Sequence, residues 1–293
     1  MMLSVVIPTC DRPDKLRECL RRVMSQAAGS YEVIVSDDSG TVKTPEILDG
    51  VRWMQGPRQG PAANRNCGAK QARGEWLVFL DDDCLPEAGW LAAFEEVARN
   101  EPAADVMEGR TECPLEDQFA FYDIVENLTG NLFWSCNLAI RRQIFEEMGG
   151  FDVDFTTACA EDVEFAWRMR KRGLRSVFVE KARVTHPPRR MTLPDLFRRT
   201  ASHRWMLLCQ LKTGQGPRLD CNWVHVISAL VVKEYLNSLR MAYHLRRKAD
   251  RMRIKGRMLD VLWRWISVTA FLPYYCFWEI RWREILVERS KRG

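Results

Sequence analysis

The stretch Gly74–Asp83 (GEWLVFLDDD) joins five consecutive apolar residues to three consecutive aspartates. An apolar run of this length, bounded by polar residues and rich in aromatic and branched side chains, predicts a short strand buried on both faces. Side chains alternate along a strand, so Asp81 and Asp83 are expected to point to one side and Asp82 to the other. The stretch therefore predicts a central strand that delivers carboxylates to one edge of a sheet.

Three adjacent carboxylates repel one another unless a cation neutralises them. Hard oxygen ligands select Mg²⁺ or Mn²⁺ over zinc, and such ions often bridge carboxylates to a diphosphate. The alternative is a solvated acidic turn. We favour the cation site, because Leu77–Leu80 places these charges at the end of a buried strand.

The elements around this strand alternate between the two kinds of secondary structure. Alternation of this kind predicts an α/β fold with a parallel sheet, helices on both faces and ligands at the carboxyl ends of the strands. The further strands are predicted over Leu3–Ile7, Tyr31–Ser36, Val51–Met54 and Ser176–Val179. The helices are predicted over Asp14–Gln26, Ala62–Ala72, Trp90–Asn100, Leu138–Met148 and Glu161–Arg172, with long helical stretches at 223–250 and 256–290.

Two further acidic pairs lie at element ends. Asp38 follows a predicted strand and can accept a hydrogen bond from a base or a ribose, although an Asx-turn explains Asp37-Asp38 equally well in isolation. Glu161-Asp162 begins a predicted helix, where one carboxylate could act as a general base. Acidic residues also favour a first turn simply because of the helix dipole.

Length and composition limit the classes of protein to which the chain can belong. With 293 residues, 46% of them hydrophobic and 28% charged, the chain is expected to fold around a sizeable core. None of the 10 cysteines stands in a CxxC spacing, which argues against a zinc ribbon and favours reduced thiols in a cytosolic protein. The short apolar start, with no basic residues before it, does not predict a signal peptide.

Charge divides the chain into an acidic front and a basic rear. Residues 181–293 hold 24 Lys and Arg against 8 Asp and Glu, whereas residues 1–180 hold 20 against 31. Seven basic residues within 246–257 precede an uncharged run, Trp265–Trp278, of only 14 residues. A bilayer span needs about 20 apolar residues. The pattern therefore favours a helix lying on an anionic membrane surface over a nucleic-acid site. The alternative is a helix pair packed on the catalytic domain or on a second subunit, as in a homodimer.

Six motifs in order resemble the family-2 inverting nucleotide-sugar glycosyltransferases of the GT-A fold. The resemblance spans about residues 1–190 and implies a Rossmann-like GT-A catalytic domain there. The sequence beyond it is basic, aromatic and predicted to be helical, so we expect an extension over 191–293, with Pro187-Pro188 as the best candidate for the boundary. Within the domain, the first ~110 residues would bind the nucleotide sugar. Residues 111–190 would bind the acceptor and supply the catalytic base. The motifs are Ser4–Thr9, Val35–Gly40, Gly60–Gly68, Gly74–Asp83, Gly149–Asp152 and Glu161–Arg168.

The resemblance also implies roles for individual residues. Asp38 would contact the base, commonly a uracil; Asp81 would lie near the ribose; and Asp162 would be the catalytic base. His186 would lie near the metal, although a surface-loop histidine is an equal alternative. The implied donor-binding residues are Pro8, Thr9, Arg12, Asp38, Arg65, Asn66, Asp81 and Asp82; the implied metal ligands are Asp83 and His186; the implied catalytic residues are Asp162 and Glu161.

The sequence departs from the family pattern at three places. Ser39-Gly40 reverses the usual Gly-Ser, and Cys10 stands where many members carry an aromatic or polar residue. Ala201–Trp205 keeps the Arg-Trp of processive members but lacks their Gln, so we expect transfer of one sugar per event.

The implied reaction is one displacement at the anomeric carbon, with inversion, assisted by Mn²⁺ or Mg²⁺. The implied partners are a nucleotide-diphosphate sugar, with a UDP-sugar favoured, and a glycan or lipid-linked acceptor. We expect the protein at the inner face of the cell membrane, on the cytoplasmic side. Two alternatives remain at this stage: a catalytically silent assembly partner, and a nucleotidyltransferase, which would need a Gly-rich phosphate loop that Ile7–Lys15 does not supply.

Overall fold

The computed structural model describes residues 2–40, 49–114, 121–214, 262–263, 266 and 270–291. The predicted helix at 223–250 and the basic cluster at 246–257 lie outside these residues. So does most of the predicted helical stretch at 256–290 before position 270.

The strands form an eight-stranded sheet and a separate two-stranded ribbon. Strand order in the large sheet is β3-β2-β1-β4-β8-β6-β9-β5, and β7 pairs with β10. The strands are β1 Met2–Thr9, β2 Ser30–Asp37, β3 Val51–Gln55, β4 Trp76–Leu80, β5 Leu85–Pro86, β6 Val106–Glu112, β7 Tyr122–Asp123, β8 Asn137–Arg141, β9 Ser176–Thr185 and β10 Arg189–Arg190. The helices are α1 Pro13–Met24, α2 Pro61–Ala69, α3 Trp90–Asn100, α4 Arg142–Glu147, α5 Glu161–Lys171, α6 Leu193–Ser202, α7 Arg204–Thr213 and α8 Leu272–Ser290.

The first four strands of the sheet run parallel, as the alternating pattern predicts. Thr9 at the end of β1 pairs with Asp37 at the end of β2, and Val6 pairs with Phe79 of β4. The acidic ends of β2 and β4 therefore flank the end of β1. This register brings residues far apart in sequence to one edge of the sheet.

Helices cover both faces of the sheet, and β1 contributes to both cores. Leu3, Val5 and Ile7 belong to the core that contains residues of α1 and α3. Val6 faces the other core, in which α2, α4 and α5 pack. Alternate side chains of one strand thus serve two cores, and β4 is fully buried as its apolar sequence predicts.

The prediction of a helix over Leu138–Met148 is wrong for its first half. Asn137–Arg141 is a strand, antiparallel to both β4 and β6, and only Arg142–Glu147 is helical. Leu138, Ala139 and Ile140 are buried on both sides, so their apolar run carried no helical period. Pairing with two neighbouring strands, a tertiary interaction, decided the conformation. The sheet is consequently mixed rather than wholly parallel.

The chain divides into two compact units. One comprises residues up to Pro114 together with Ile124–Pro187, and the other comprises residues 121–123 and the described residues from Pro188 onward. In the second unit, α6 begins with a capping box between Thr192 and Asp195. The Arg204 guanidinium of α7 donates to the Tyr274 hydroxyl of α8 at 2.6 Å. Among the helices that the structure describes, none has the length and apolar character needed to traverse a bilayer.

Candidate functional site

Asp82 turns towards β1 and shares the Arg12 guanidinium with Asp83, because Asp81–Cys84 form a turn in which the expected strand alternation does not continue. It is fully buried, accepts a hydrogen bond from the Thr9 hydroxyl at 2.7 Å and pairs with Arg12 at 2.8 Å. Burial raises the pKa of Asp82 to about 7, although Arg12 and Thr9 act in the opposite direction. The side chain of Asp82 thus ties the end of β4 to the end of β1.

Asp83 carries the strongest candidate metal ligand. Its Oδ1 lies 3.5 Å from His186 Nε2, at the end of β9, and its Oδ2 receives Arg12 at 2.9 Å and Lys15 at 3.1 Å. Burial would raise the pKa of Asp83, but His186, Arg12 and Lys15 outweigh it and lower that pKa. The carboxylate is therefore held ionised beside an imidazole.

The donor set at this position fits a divalent cation. Ligand atoms of Asp83, Cys84 and His186 lie within 4.8 Å of one another. The Cys84 thiol is fully buried, and hard cations such as Mg²⁺ and Mn²⁺ favour oxygen ligands over sulfur. The Asp83 carboxylate and the His186 imidazole remain as two possible ligands of a divalent cation.

Arg65 connects the end of β4 to the start of α5. Its guanidinium donates to Asp81 at 2.7 Å and to Glu161 at 3.1 Å, and its side chain is 5% exposed. It also lies 5.7 Å from the Phe151 ring centroid. The buried Arg65 side chain therefore fixes Asp81, the residue expected near the ribose, relative to α5. That helix carries Glu161 and Asp162, the two candidates for the general base.

Glu161 and Asp162 are adjacent but differ in what their oxygens contact. Both Glu161 oxygens are engaged, one by Arg65 and the other by the backbone N–H of Cys159 at 2.8 Å. Asp162 accepts the Ser135 N–H on Oδ2 at 3.3 Å, whereas its Oδ1 is buried and has no hydrogen-bond partner among the described residues. Burial raises the pKa of Asp162 and Asp81 adds to the rise, whereas Arg65 and the Ser135 backbone and side chain oppose it. Asp162, unlike Glu161, therefore keeps one oxygen without a hydrogen bond within the described part of the chain.

Asp38 lies at the other end of the site. Its Oδ1 accepts the backbone N–H of Arg58 at 2.8 Å. Burial raises the pKa of Asp38, despite hydrogen bonds from the backbone N–H groups of Arg58 and Gly60. Asp37, by contrast, holds the Ser39 N–H and hydroxyl, which is the Asx-turn that the sequence allows. Of the two aspartates, Asp38 is the one that reaches the cleft.

A cleft of about 410 Å³ gathers most of the predicted donor-binding residues. Asp38, Arg65 and Asp81 lie along one opening with Pro8, Thr9 and Arg12. The full lining is Pro8, Thr9, Cys10, Arg12, Asp38, Arg58, Gly60, Pro61, Asn64, Arg65, Asp81, Thr156 and Ala158. Its size and its mixture of cations and carboxylates suit a charged ligand of the size of a nucleotide.

Asn66 lies outside this cleft lining, and the structure gives it a clear internal contact. Its amide donates to the Phe151 carbonyl at 2.7 Å and accepts the Phe151 N–H at 2.9 Å. It thereby fixes the Gly149–Asp152 turn against α2.

The sequence analysis missed Arg58, Asn64 and Lys15. Asn64 donates to the Thr9 carbonyl at 3.1 Å, and Arg58 flanks Asp38 in the turn after β3. A signal for Arg58 was present, since a Gly- and Pro-rich turn at the carboxyl end of a parallel strand is where ligands bind. Nothing in the sequence pointed to Lys15, which reaches Asp83 from an exposed face of α1.

Comparison with known sequences assigns the chain a family match. The sequence model described as glycosyl transferase family 2 matches residues 4–158. The O-antigen biosynthesis protein RfbC of Myxococcus xanthus is 29% identical over 260 residues, which cover 74% of this chain and 20% of that protein. A GalNAc(5)-diNAcBac-PP-undecaprenol beta-1,3-glucosyltransferase of Campylobacter jejuni is 34% identical over 113 residues, which cover 36% of each chain. The chain thus spans well under two thirds of both relatives.

Solved structures support the fold. The mannosyltransferase PcManGT from Pyrobaculum calidifontis, solved with GDP-Man and Mn²⁺, superposes with a TM-score of 0.56 at 18% identity. The match covers 99% of this chain and 86% of that one. At this identity, the likeness concerns the fold of the chain and not its ligands.

Proposed function

The chain belongs to glycosyl transferase family 2, and on that premise we propose that it is an inverting, metal-dependent transferase that moves one sugar per event from a nucleotide-diphosphate donor to a glycan or lipid-linked acceptor. The observation that carries this proposal is the contrast at the start of α5. Glu161 is bound on both oxygens, whereas Asp162 keeps one oxygen without a hydrogen-bond partner among the described residues. A buried carboxylate with a raised pKa and a free oxygen suits a general base.

We propose that the donor binds in the cleft with its base towards Asp38 and its ribose towards Asp81. Asp38 offers an acceptor for a base N–H, and the family resemblance favours uracil. The fold neighbour PcManGT was solved with GDP-Man, so guanine is the competing base to be tested. Arg12 and Lys15, which converge on Asp83, supply positive charge where the diphosphate would lie.

In the proposed reaction, Asp162 Oδ1 accepts the proton of the acceptor hydroxyl. The hydroxyl oxygen forms a bond to the anomeric carbon as the bond from that carbon to the diphosphate oxygen breaks, and the electron pair departs with the diphosphate. Arg12 and Lys15 stabilise the developing negative charge. A divalent cation held by Asp83 and His186 would add Lewis-acid stabilisation of the same charge.

The acceptor proposal rests on the Campylobacter relative and on the second unit. That relative is named for a lipid-linked, undecaprenol-diphosphate substrate. The second unit exposes large apolar side chains on α6 and α8, including Phe197, Phe277 and Ile280. We propose that these residues rest on an anionic membrane, which would place the enzyme at the cytoplasmic face where a lipid-linked acceptor is available.

The test of this function is turnover by Asp162→Asn. UDP-glucose, UDP-N-acetylglucosamine and GDP-mannose are screened with Mn²⁺, and release of nucleoside diphosphate is followed. Asp162→Asn keeps the shape of the side chain but cannot accept the proton, so we expect a loss of ~10²–10⁴ in kcat with donor binding retained. Glu161→Gln, the same chemical change at the adjacent carboxylate, is compared with it. Near-normal turnover by Asp162→Asn would remove Asp162 as the base.

A further inference from the structure

Glu108 is a buried carboxylate that the proposed reaction does not use. It lies on β6 with 2% exposure and accepts hydrogen bonds from one loop. Oε1 receives the Asn131 N–H at 2.8 Å; Oε2 receives the N–H groups of Leu132 at 2.9 Å and Phe133 at 2.7 Å, and the Asn127 amide at 3.2 Å. Four donors on one buried carboxylate indicate a dedicated anchor for this loop.

The loop backbone adopts a conformation that needs such an anchor. Gly130, Asn131 and Phe133 have φ values of 83°, 67° and 56°. Left-handed conformations at non-glycine residues persist only where the surroundings enforce them. Successive N–H groups in this arrangement converge on an anion, as in a backbone nest. Here the anion is the side chain of Glu108.

The same loop reaches the candidate base. Ser135, two residues after Phe133, donates its backbone N–H to Asp162 Oδ2 at 3.3 Å. On the other side, Asn137 is held by the Trp90 indole N–H at 2.9 Å and donates to two carbonyls. Ser135 therefore lies between two held positions four residues apart, Phe133 on one side and Asn137 on the other. The Ser135 N–H engages Asp162 Oδ2, which leaves Oδ1 as the oxygen without a hydrogen-bond partner in the described part of the chain.

We propose that Glu108 is a positioning residue for the transfer reaction: by holding the backbone of Asn131–Phe133, it fixes the Ser135 N–H that orients the Asp162 carboxylate. This inference rests on the proposed role of Asp162 as the base. Glu108 acts through the loop and not on the substrate, so its loss should affect the chemical step and leave donor binding intact.

The test compares Glu108→Gln with Glu101→Gln in the full-length chain. The glutamine keeps the shape of the side chain but loses the charge, and it sets an NH₂ group against backbone N–H donors. Glu101 undergoes the same chemical change but makes an exposed ion pair with Arg175 at 2.7 Å. Both changes are also made on the Asp162→Asn background. Nucleoside-diphosphate release from the three donors with Mn²⁺ gives kcat and KM, and hydrogen exchange of 131–135 reports the loop.

We expect Glu108→Gln to lower kcat by about 10- to 100-fold, the scale of a misplaced catalytic group, with the donor KM changed less than about twofold. On the Asp162→Asn background it should change kcat by less than about twofold, because the residue it acts through is already disabled. Amide exchange over 131–135 should accelerate. Glu101→Gln should match wild type in every measurement.

Three results would overturn the proposal: wild-type kcat in Glu108→Gln, an equal loss of kcat on both backgrounds, or unchanged exchange at 131–135. If Glu108→Gln does not fold, Glu108→Asp keeps the charge but retracts it by one methylene, and it must show the same pattern. Failure here is distinct from failure of the proposed function. Loss of turnover in Asp162→Asn with none in Glu108→Gln rejects only Glu108, whereas normal turnover in Asp162→Asn rejects both.

Discussion

Replacing Arg65 by Met should destabilise the protein strongly, and more so at alkaline pH. Arg65 is buried and pairs with Asp81 at 2.7 Å and Glu161 at 3.1 Å. Removing one partner of a buried ion pair typically costs 3–5 kcal/mol, because the remaining charge is left uncompensated. We therefore expect the free energy of unfolding to fall by about 3–5 kcal/mol at about pH 8.

The pH dependence follows from Glu161. Burial, with Asp162 adding to it, raises the pKa of Glu161 to about 7 while Arg65 lowers it, so loss of Arg65 raises that pKa further. A carboxyl whose pKa is raised on folding contributes stability that is fully present below the unfolded value and is lost as pH rises through the folded value. Each further unit by which the Glu161 pKa rises in Arg65→Met lowers the free energy of unfolding of the variant at high pH by about another 1.4 kcal/mol relative to wild type. The deficit at about pH 5.5 should therefore be smaller.

Urea unfolding followed by tryptophan fluorescence at both pH values measures the difference. Arg17→Met is the matched control, because Arg17 makes an exposed pair with Asp14 and surface changes of this kind stay within about 0.5 kcal/mol. The reasoning is refuted if Arg65→Met is as stable as wild type at about pH 8, or if its deficit is the same at both pH values.

The remaining predictions concern the metal, Glu161 and the membrane. Asp83→Ala should abolish Mn²⁺-dependent donor turnover and weaken Mn²⁺ binding measured by electron paramagnetic resonance while the fold is kept; full wild-type activity in excess chelator would contradict the assignment. Glu161→Gln removes a carboxyl of raised pKa, so its unfolding free energy should decline less than that of wild type between about pH 5 and pH 8, and equal slopes would count against the pKa of about 7. Phe277→Ser should weaken binding to phosphatidylserine vesicles even at high salt, whereas Val153→Ser, equally an exposed apolar change but in the first unit, should not; identical vesicle binding by both would argue that the α8 surface does not touch lipid.

Local patterns sufficed for the parallel half of the sheet and for placing several candidate site residues at one edge of it. Trp76–Leu80 is apolar throughout because β4 is buried on both faces, and that run alone identifies a central strand. Asp38, Asp81 and Asp83 follow strands, so their presence at one edge could be deduced from the geometry of parallel sheets. The same patterns predicted a helix over Leu138–Met148, because a short buried run has no period that separates strand from helix.

The sequence by itself determined which residues stand at the ends of the strands, since side-chain alternation and burial are written in the order of apolar and polar residues. Only the tertiary structure decided what those residues do to one another. The pairing of Arg65 with Glu161 spans 96 positions, and the contact of Ser135 with Asp162 depends on a loop held by Glu108. No local pattern encodes such contacts, because they arise when separate elements pack and exclude water from the charges between them. That packing is what leaves Glu161 bound on both oxygens and Asp162 with one oxygen unengaged within the described chain.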